Sequence, residues 1–396
     1  CDLTYCTNIH PGETWQEVRL ALGYYLPQIK SQISPNTSFG VGLRLSEYAA
    51  RELEIPGVFA EFSDFLHSNG LYVFTLNGFP FGAFHHQSVK DKVYLPDWTD
   101  IRRLKYSNRL ARLLVKLLPD EMGLEGSIST VPGGYKPHLA GKPGSVEMIV
   151  ELLLLHASVL YDLYNETGRS ITLALEPEPS CMLETISETV AFFEERLFNH
   201  QAIGRMASLC RLSMSEAESS IRRHLGVCFD TCHAAVEFED ANDAIARLHN
   251  AGIRIAKLQL SAGLRMPDAS AHAVKKLSPF VEDVYLHQVI ERSSAGMRRM
   301  IDLSEALIAD ANISNDLANR EWRIHFHVPI SSAQLGHFES TRPFLEEILA
   351  IHKNKPITSH LEIETYTWDV LPELYRKESL TSAIASELQW ALEQLV

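Results

Sequence analysis

Nine short runs rich in β-branched and aromatic residues recur along the chain, separated by longer stretches of helical periodicity. The runs fall near 3–9 (LTYCTNI), 39–45 (FGVGLRL), 71–77 (LYVFTLN), 126–131 (GSISTV), 171–177 (ITLALEP), 226–231 (GVCFDT), 255–261 (IAKLQLS), 322–328 (WRIHFHV) and 359–365 (SHLEIET). Between them lie helical candidates at 13–32, after the N-cap Ser46, at 97–118, at 145–165 and at 380–394. Such alternation over a whole chain implies parallel strands joined by crossover helices. No glycine-rich G-x-G-x-x-G follows the first run and no P-loop occurs, which disfavours a nucleotide-binding doubly wound sheet. The expected fold is α/β, an eight-stranded (β/α)8 TIM barrel. One of the nine runs is then extra. The stretch 262–321, polar and helical in pattern, reads as a helical insertion between late strands of one domain spanning 1–396.

Composition narrows the partners. The 396 residues carry 36 basic and 50 acidic side chains, a net charge of -14, which argues against a nucleic-acid backbone as partner. The most apolar stretch, MIVELLLLHASVLYDLY, is interrupted by Glu151, His156 and Asp162, too closely for a membrane span. The opening CDLTYC shows neither a basic segment nor an apolar signal core. Six scattered cysteines without metal-finger spacing read as reduced thiols, so a cytoplasmic location is expected. Cys228 and Cys232 flank Asp230 and read first as small strand-packing residues. Whether the chain forms a homo-oligomer is left open.

In an α/β barrel the chemistry gathers at the carboxyl ends of the strands. Those ends here are unusually polar. The first run ends in Asn8 and His10, and the third in Asn77, followed by His85 and His86. The fifth ends in Glu176 and Glu178, and the sixth in Asp230 and His233. The seventh carries Lys257 and Gln259, the eighth His325 and His327, and the last Glu362 and Glu364. Residues two apart on a strand share a face, and of the last pair Glu364, nearer the tip, is the better site candidate, with Glu362 free to face helix or solvent. Three converging carboxylates in a partly dry pocket repel one another, so they must protonate, find basic partners or bind a cation. Few basic residues lie at these ends, and mixed carboxylate and imidazole donors suit Mn²⁺, Mg²⁺, Zn²⁺ or Fe²⁺.

The strings LALEPEP, GVCFDTCH and LEIETYTW resemble the strand ends of the xylose isomerase-like barrels, which include sugar isomerases, epimerases and endonuclease IV. That resemblance implies metal-binding carboxylates at Glu176, Asp230 and Glu364, and a histidine at His233 for a second metal or the substrate. The histidine usual on the seventh strand falls at Gln259, so His327 or His325 is expected to supply the missing nitrogen. The strings LTYCTNIHPGE, LNGFPFGAFH, VYLPDW, YLHQV and RIHFHVPI are similar to the EboE-type metabolite traffic proteins of bacteria, which implies a setting in secondary-metabolite precursor processing.

Three functional readings follow. The first is a divalent-metal-dependent isomerase or epimerase of a small polyol, ketose or cyclitol-like metabolite. In it Glu176, Glu364 and His233 are catalytic, and Glu176, Asp230, His233, Gln259, His327 and Glu364 surround the metal. His10, Asn77, His85, Glu178, Lys257 and His325 then contact the substrate. The second is a metal-dependent phosphoester hydrolase like endonuclease IV, and the third a non-catalytic metabolite-binding barrel.

Overall fold

The computed structural model of the chain describes residues 2–120, 125–311, 319–376 and 378–395. Seven parallel strands follow one another as expected: β1 (Asp2–Tyr5), β2 (Phe39–Arg44), β3 (Leu71–Asn77), β4 (Gly126–Thr130), β5 (Ile171–Leu175), β6 (Leu225–Asp230) and β7 (Ile255–Leu260). The chain then leaves the barrel through β8 (Ala262–Met266), β9 (Val289–Ser293), β10 (Gly296–Met300), β11 (Glu321–Val328), β12 (Gln334–Leu335) and β13 (Phe338–Ser340). It returns as the eighth barrel strand, β14 (His360–Ile363), which lies between β7 and β1.

The barrel closes at the seam between β1 and β2 with little backbone ladder. One parallel bridge joins Cys6 to Gly42. Threonine hydroxyls take over the rest: Thr4 Oγ1 donates to the Gly40 carbonyl at 2.7 Å and accepts from the Gly42 N–H at 3.1 Å, and Thr7 Oγ1 accepts from the Arg44 N–H at 2.9 Å. A Cβ at Gly42 would stand 2.7 Å from the Tyr5 carbonyl oxygen and closer still to Glu362 Oε1, so the seam needs glycine there.

Helices cover the barrel as the periodicity requires. The helix Trp15–Ile33 opens with a capping box between Thr14 and Glu17, and Glu47–Leu53 is capped by Ser46. The apolar stretch around 148–164 lies in the helix Ser145–Thr167, whose Ile149, Leu152, Leu153 and Leu160 are buried against the barrel. No helix among the described residues is long and apolar enough to cross a membrane.

Two expectations need correction. The extra run is 322–328: β11 lies outside the barrel, in an antiparallel sheet ordered β10-β9-β11-β8-β13-β12. Its histidines therefore do not sit on a barrel strand tip. The segment 262–321 is not simply helical either. It supplies β8, β9 and β10 with short helices between them, and 312–318 lie outside the described residues. Charged residues (Arg265, Glu291, Arg292, Arg298, Arg299) interrupt the apolar pattern of β8 and β9, which are mostly buried, and of β10, which is not.

The barrel interior itself is partly polar. His360 Nδ1 meets Ser127 Oγ at 2.8 Å, which in turn meets Thr75 Oγ1 at 2.8 Å. Above them Lys257 Nζ and Glu362 Oε2 form an ion pair at 2.5 Å, both side chains fully buried. Lys257 and Glu362 thus lie beneath the mouth: Lys257 is held away from any substrate, and Glu362 faces neither helix nor solvent.

Candidate metal centre

At the carboxyl ends of the strands, β5, β6 and β14 run directly into Glu176, Asp230 and Glu364, all buried. Asp230 also caps the short helix Thr231–Val236, its Oδ1 accepting from the His233 N–H at 3.0 Å and from Ser261 Oγ at 2.7 Å. That cap fixes His233 three residues along. Asp230 Oδ2 and Glu176 Oε2 are buried and have no hydrogen-bond partner. Glu364 Oε1 is held by the amide groups of Asn8 (2.7 Å) and Asn77 (3.1 Å).

The second sheet contributes two more groups. A register shift in β11 between Ile324 and His327 lets His325 and His327 both reach over the mouth. Donor atoms of His233, His325 and His327 lie within 4.8 Å of one another. The same holds for Glu176, Asp230 and His233, and for Asp230, Cys232 and His327.

The proton positions on these imidazoles follow from their partners. His233 Nδ1 meets the Pro177 carbonyl at 2.9 Å and His327 Nδ1 the Glu364 carbonyl at 2.9 Å; a carbonyl only accepts, so both Nδ1 atoms donate. His325 Nδ1 meets Gln288 Oε1 at 2.7 Å. The Gln288 amide nitrogen already donates to Tyr94 Oη and the Pro179 carbonyl, so its oxygen is the acceptor and His325 Nδ1 donates too. All three Nε2 atoms are left as acceptors, and only the Tyr366 hydroxyl comes near one of them, 3.5 Å from His325 Nε2. His327 Nε2 has no partner, while His233 Nε2 and His325 Nε2 face each other at 3.0 Å. Two lone pairs at that distance repel unless a cation or proton stands between them. Burial pushes His325 well below its usual range and His327 down to about 4, which opposes a proton.

The carboxyls carry the complementary problem. Burial pushes Glu176 and Glu364 well up, and Asp230 pushes both further; Lys257 offsets part of this from below. For Asp230 burial also opposes the charge, but a positive charge on the side of His233 and His327, together with the two donors on Oδ1, outweighs it and holds its carboxyl down. Bare carboxylate oxygens, bare imidazole nitrogens and outer partners on every Nδ1 are what a divalent-cation site presents before the ion enters. The residues fit the ion that the sequence led us to expect.

A cavity of about 50 Å³ opens above this centre, lined by Asn8, Asn77, Glu176, Glu178, His233, His325 and Glu364 below and by aromatic side chains above. Glu178 is fixed by Tyr94, whose hydroxyl donates to it at 2.7 Å, and burial pushes its carboxyl up to about 7. A larger groove of about 510 Å³ at the opposite ends of β7 and β14 contains none of these groups.

Some expected site residues lie elsewhere. His10 is buried between Tyr5, whose hydroxyl meets its Nε2 at 2.9 Å, and Tyr25, stacked on its ring at 4.0 Å, outside the cavity lining. His85 stands behind the cavity wall, donating to the Asn8 carbonyl and accepting from Tyr285 Oη. Gln259 Oε1 is taken by Cys228 Sγ at 3.2 Å and its amide nitrogen has no partner, so its oxygen is turned from a ligand role. Residues the sequence reading did not single out include Ser261, Gln288, Tyr94 and Tyr366. Gln288 and Tyr94 sit inside the strings YLHQV and VYLPDW, but nothing in those strings says that they meet.

No protein-family model and no curated protein matches the chain. Among solved structures, an L-ribulose 3-epimerase superposes with a TM-score of 0.48 at 13% identity, covering 100% of this chain and 94% of that one. A D-allulose 3-epimerase from Methylomonas sp., in complex with D-allulose, gives 0.48 at 10%, covering 100% and 97%. The IolI protein with a bound zinc atom gives 0.47 at 11%, covering 100% and 98%.

Proposed function

We propose that the chain is a divalent-metal-dependent isomerase or epimerase acting on a small hydroxy-carbonyl compound of the ketose or cyclitol type. The observation that carries this reading is a buried run of overlapping donor groups: Glu176, Asp230 and His233, then His233, His325 and His327, then Asp230, Cys232 and His327, each within 4.8 Å, with Glu176 Oε2, Asp230 Oδ2 and His327 Nε2 lacking any partner. Asp230, Glu176, His233 and His327 would hold the ion, with His325 beside them; β11 thus offers the nitrogen that Gln259 does not. When bound, the ion polarises a carbonyl oxygen and stabilises the charge that develops on it. Glu364, oriented by Asn8 and Asn77, and Glu178, oriented by Tyr94, face the cavity from strands three steps apart in the barrel order. One takes a proton from the carbon next to the carbonyl and the other returns one. Asn77 acts through Glu364: its amide nitrogen donates to that carboxylate and its oxygen is taken by the Phe79 N–H. A bacterial, cytoplasmic setting in precursor traffic, as the EboE-type resemblance implies, belongs to this proposal.

The phosphoester-hydrolase alternative would have the metal but no side-chain cation for the phosphate. Lys90 is the one lysine or arginine of the described lining, and its ammonium is occupied by the Glu282 and Tyr285 carbonyls and Asp302. The metabolite-carrier alternative is separated by turnover. With Mn²⁺ added, ketoses incubated in heavy water should gain deuterium at the carbon next to the carbonyl. Tight binding of a ketose with no exchange and no isomer formed would support the carrier instead.

A further inference from the structure

We infer that the substrate joins its oxygen-bearing head to an uncharged, apolar body, an inference that rests on the metal-centre reading above. The cavity is divided by polarity. Its floor holds every carboxylate, imidazole and amide of the lining. Its upper wall is built of Phe79, Phe84, Val93, Tyr94, Tyr285 and Tyr366. Phe84, Tyr285 and Tyr366 touch one another with ring centres 5.1 to 5.3 Å apart.

The tyrosine hydroxyls do not make this wall polar. Tyr94 donates to Glu178 and accepts from Gln288, and Tyr285 donates to His85 behind the wall. Tyr366 Oη points to the floor, 3.5 Å from His325 Nε2. What the wall shows a ligand is ring face and aliphatic carbon. The three ammonium protons of Lys90 are already taken. A phosphate or carboxylate on the substrate body would meet carboxylates and rings only. A chain of hydroxyls would lose its water and find no partners, which is costly for each group. An apolar body loses nothing there, the common logic of a pocket with a few placed polar groups under an apolar cover.

The space at rest, about 50 Å³, is below the roughly 150 Å³ that holds benzene in an apolar cavity. The wall can yield. Phe84, Val89 and Tyr285, with Val93, Val284, Tyr366 and Val370, form a small apolar cluster of their own, joined to the barrel core only through Val93 and Val370. A substrate body seated there replaces contacts the rings now make with each other.

Three hydroxamates with one metal-binding head and different bodies test this on the Mn²⁺-loaded protein by calorimetry: acetohydroxamate, benzohydroxamate and a trihydroxybutyl hydroxamate. Benzohydroxamate should bind at least about 10-fold tighter than either of the others. Phe84→Asn, or Val93→Ser should the first variant misfold, should shrink that gap to about threefold and leave acetohydroxamate unchanged. Equal binding of all three, or tightest binding of the trihydroxy compound, would overturn the inference while leaving the metal centre standing. If none of the three binds, the metal-centre reading fails and takes the inference with it.

Discussion

Asp230 spends one carboxylate oxygen on Ser261 and the N–H of His233 and leaves the other bare, and this division explains why a carboxylate and an imidazole stand at the tip of a buried strand. The residues that could be named from sequence are those whose chemistry is out of place on an apolar run: Glu176, Asp230, His233 and Glu364. Those that could not be named are ordinary in sequence and acquire their role from a distant partner, as Gln288 does by fixing the proton of His325. Gln259 failed in the opposite sense. Its position on the strand pointed to the metal, but Cys228 on the neighbouring strand takes its oxygen. The glycine of the seam makes a prediction at this scale. Gly42→Ala places a methyl group against the Tyr5 carbonyl, which is backbone and cannot swing away. The variant should lose about 3 kcal/mol in urea unfolding; a loss within about 0.5 kcal/mol would show that the seam is not tight.

Among the elements, the eight barrel strands were legible because strands buried on both faces read as continuous apolar runs bounded by helices. The ninth run looked the same. β11 is buried along nearly its whole length too, so periodicity alone could not set it apart. Its neighbour β9, and β10 beyond it, were missed because Glu291, Arg292, Arg298 and Arg299 break the apolar pattern. They are nevertheless a hairpin, turning through Ser294 and Ala295 into Gly296, whose φ is +108. The consequence is functional. β8 follows β7 with only Ser261 between, so the second sheet is anchored at the barrel mouth and β11 is laid across it. Two imidazoles, His325 and His327, thus come to His233 from a strand outside the barrel.

Across the whole molecule, buried ionisable groups tie the parts together, and one of them should be visible in solution. Glu387, on the helix Leu380–Leu395, accepts from the Ile330 N–H and from Thr365 Oγ1, joining the end of the chain to the exits of β11 and β14. Burial pushes its carboxyl from 4.5 up to about 7, with the two donors opposing. Its folded value therefore lies above the unfolded one. The protonated carboxyl favours folding below about pH 4.5, and that contribution is lost as pH rises through 7. Glu387→Gln keeps an acceptor for both donors and removes the titration. Relative to wild type it should gain up to about 3 kcal/mol at pH 8 and little at pH 4.5, read from urea midpoints. A difference that does not change with pH would contradict the buried, raised carboxyl. The central claim, a divalent cation held where Glu176, Asp230, His233 and His327 meet, is tested most directly by elemental analysis of the purified, dialysed protein beside Asp230→Ala. Wild type should retain one divalent ion per chain, or take one up when offered Mn²⁺ or Zn²⁺, and the folded variant should hold none. Equal metal content in the two, or a folded wild type that binds no ion, would contradict the account.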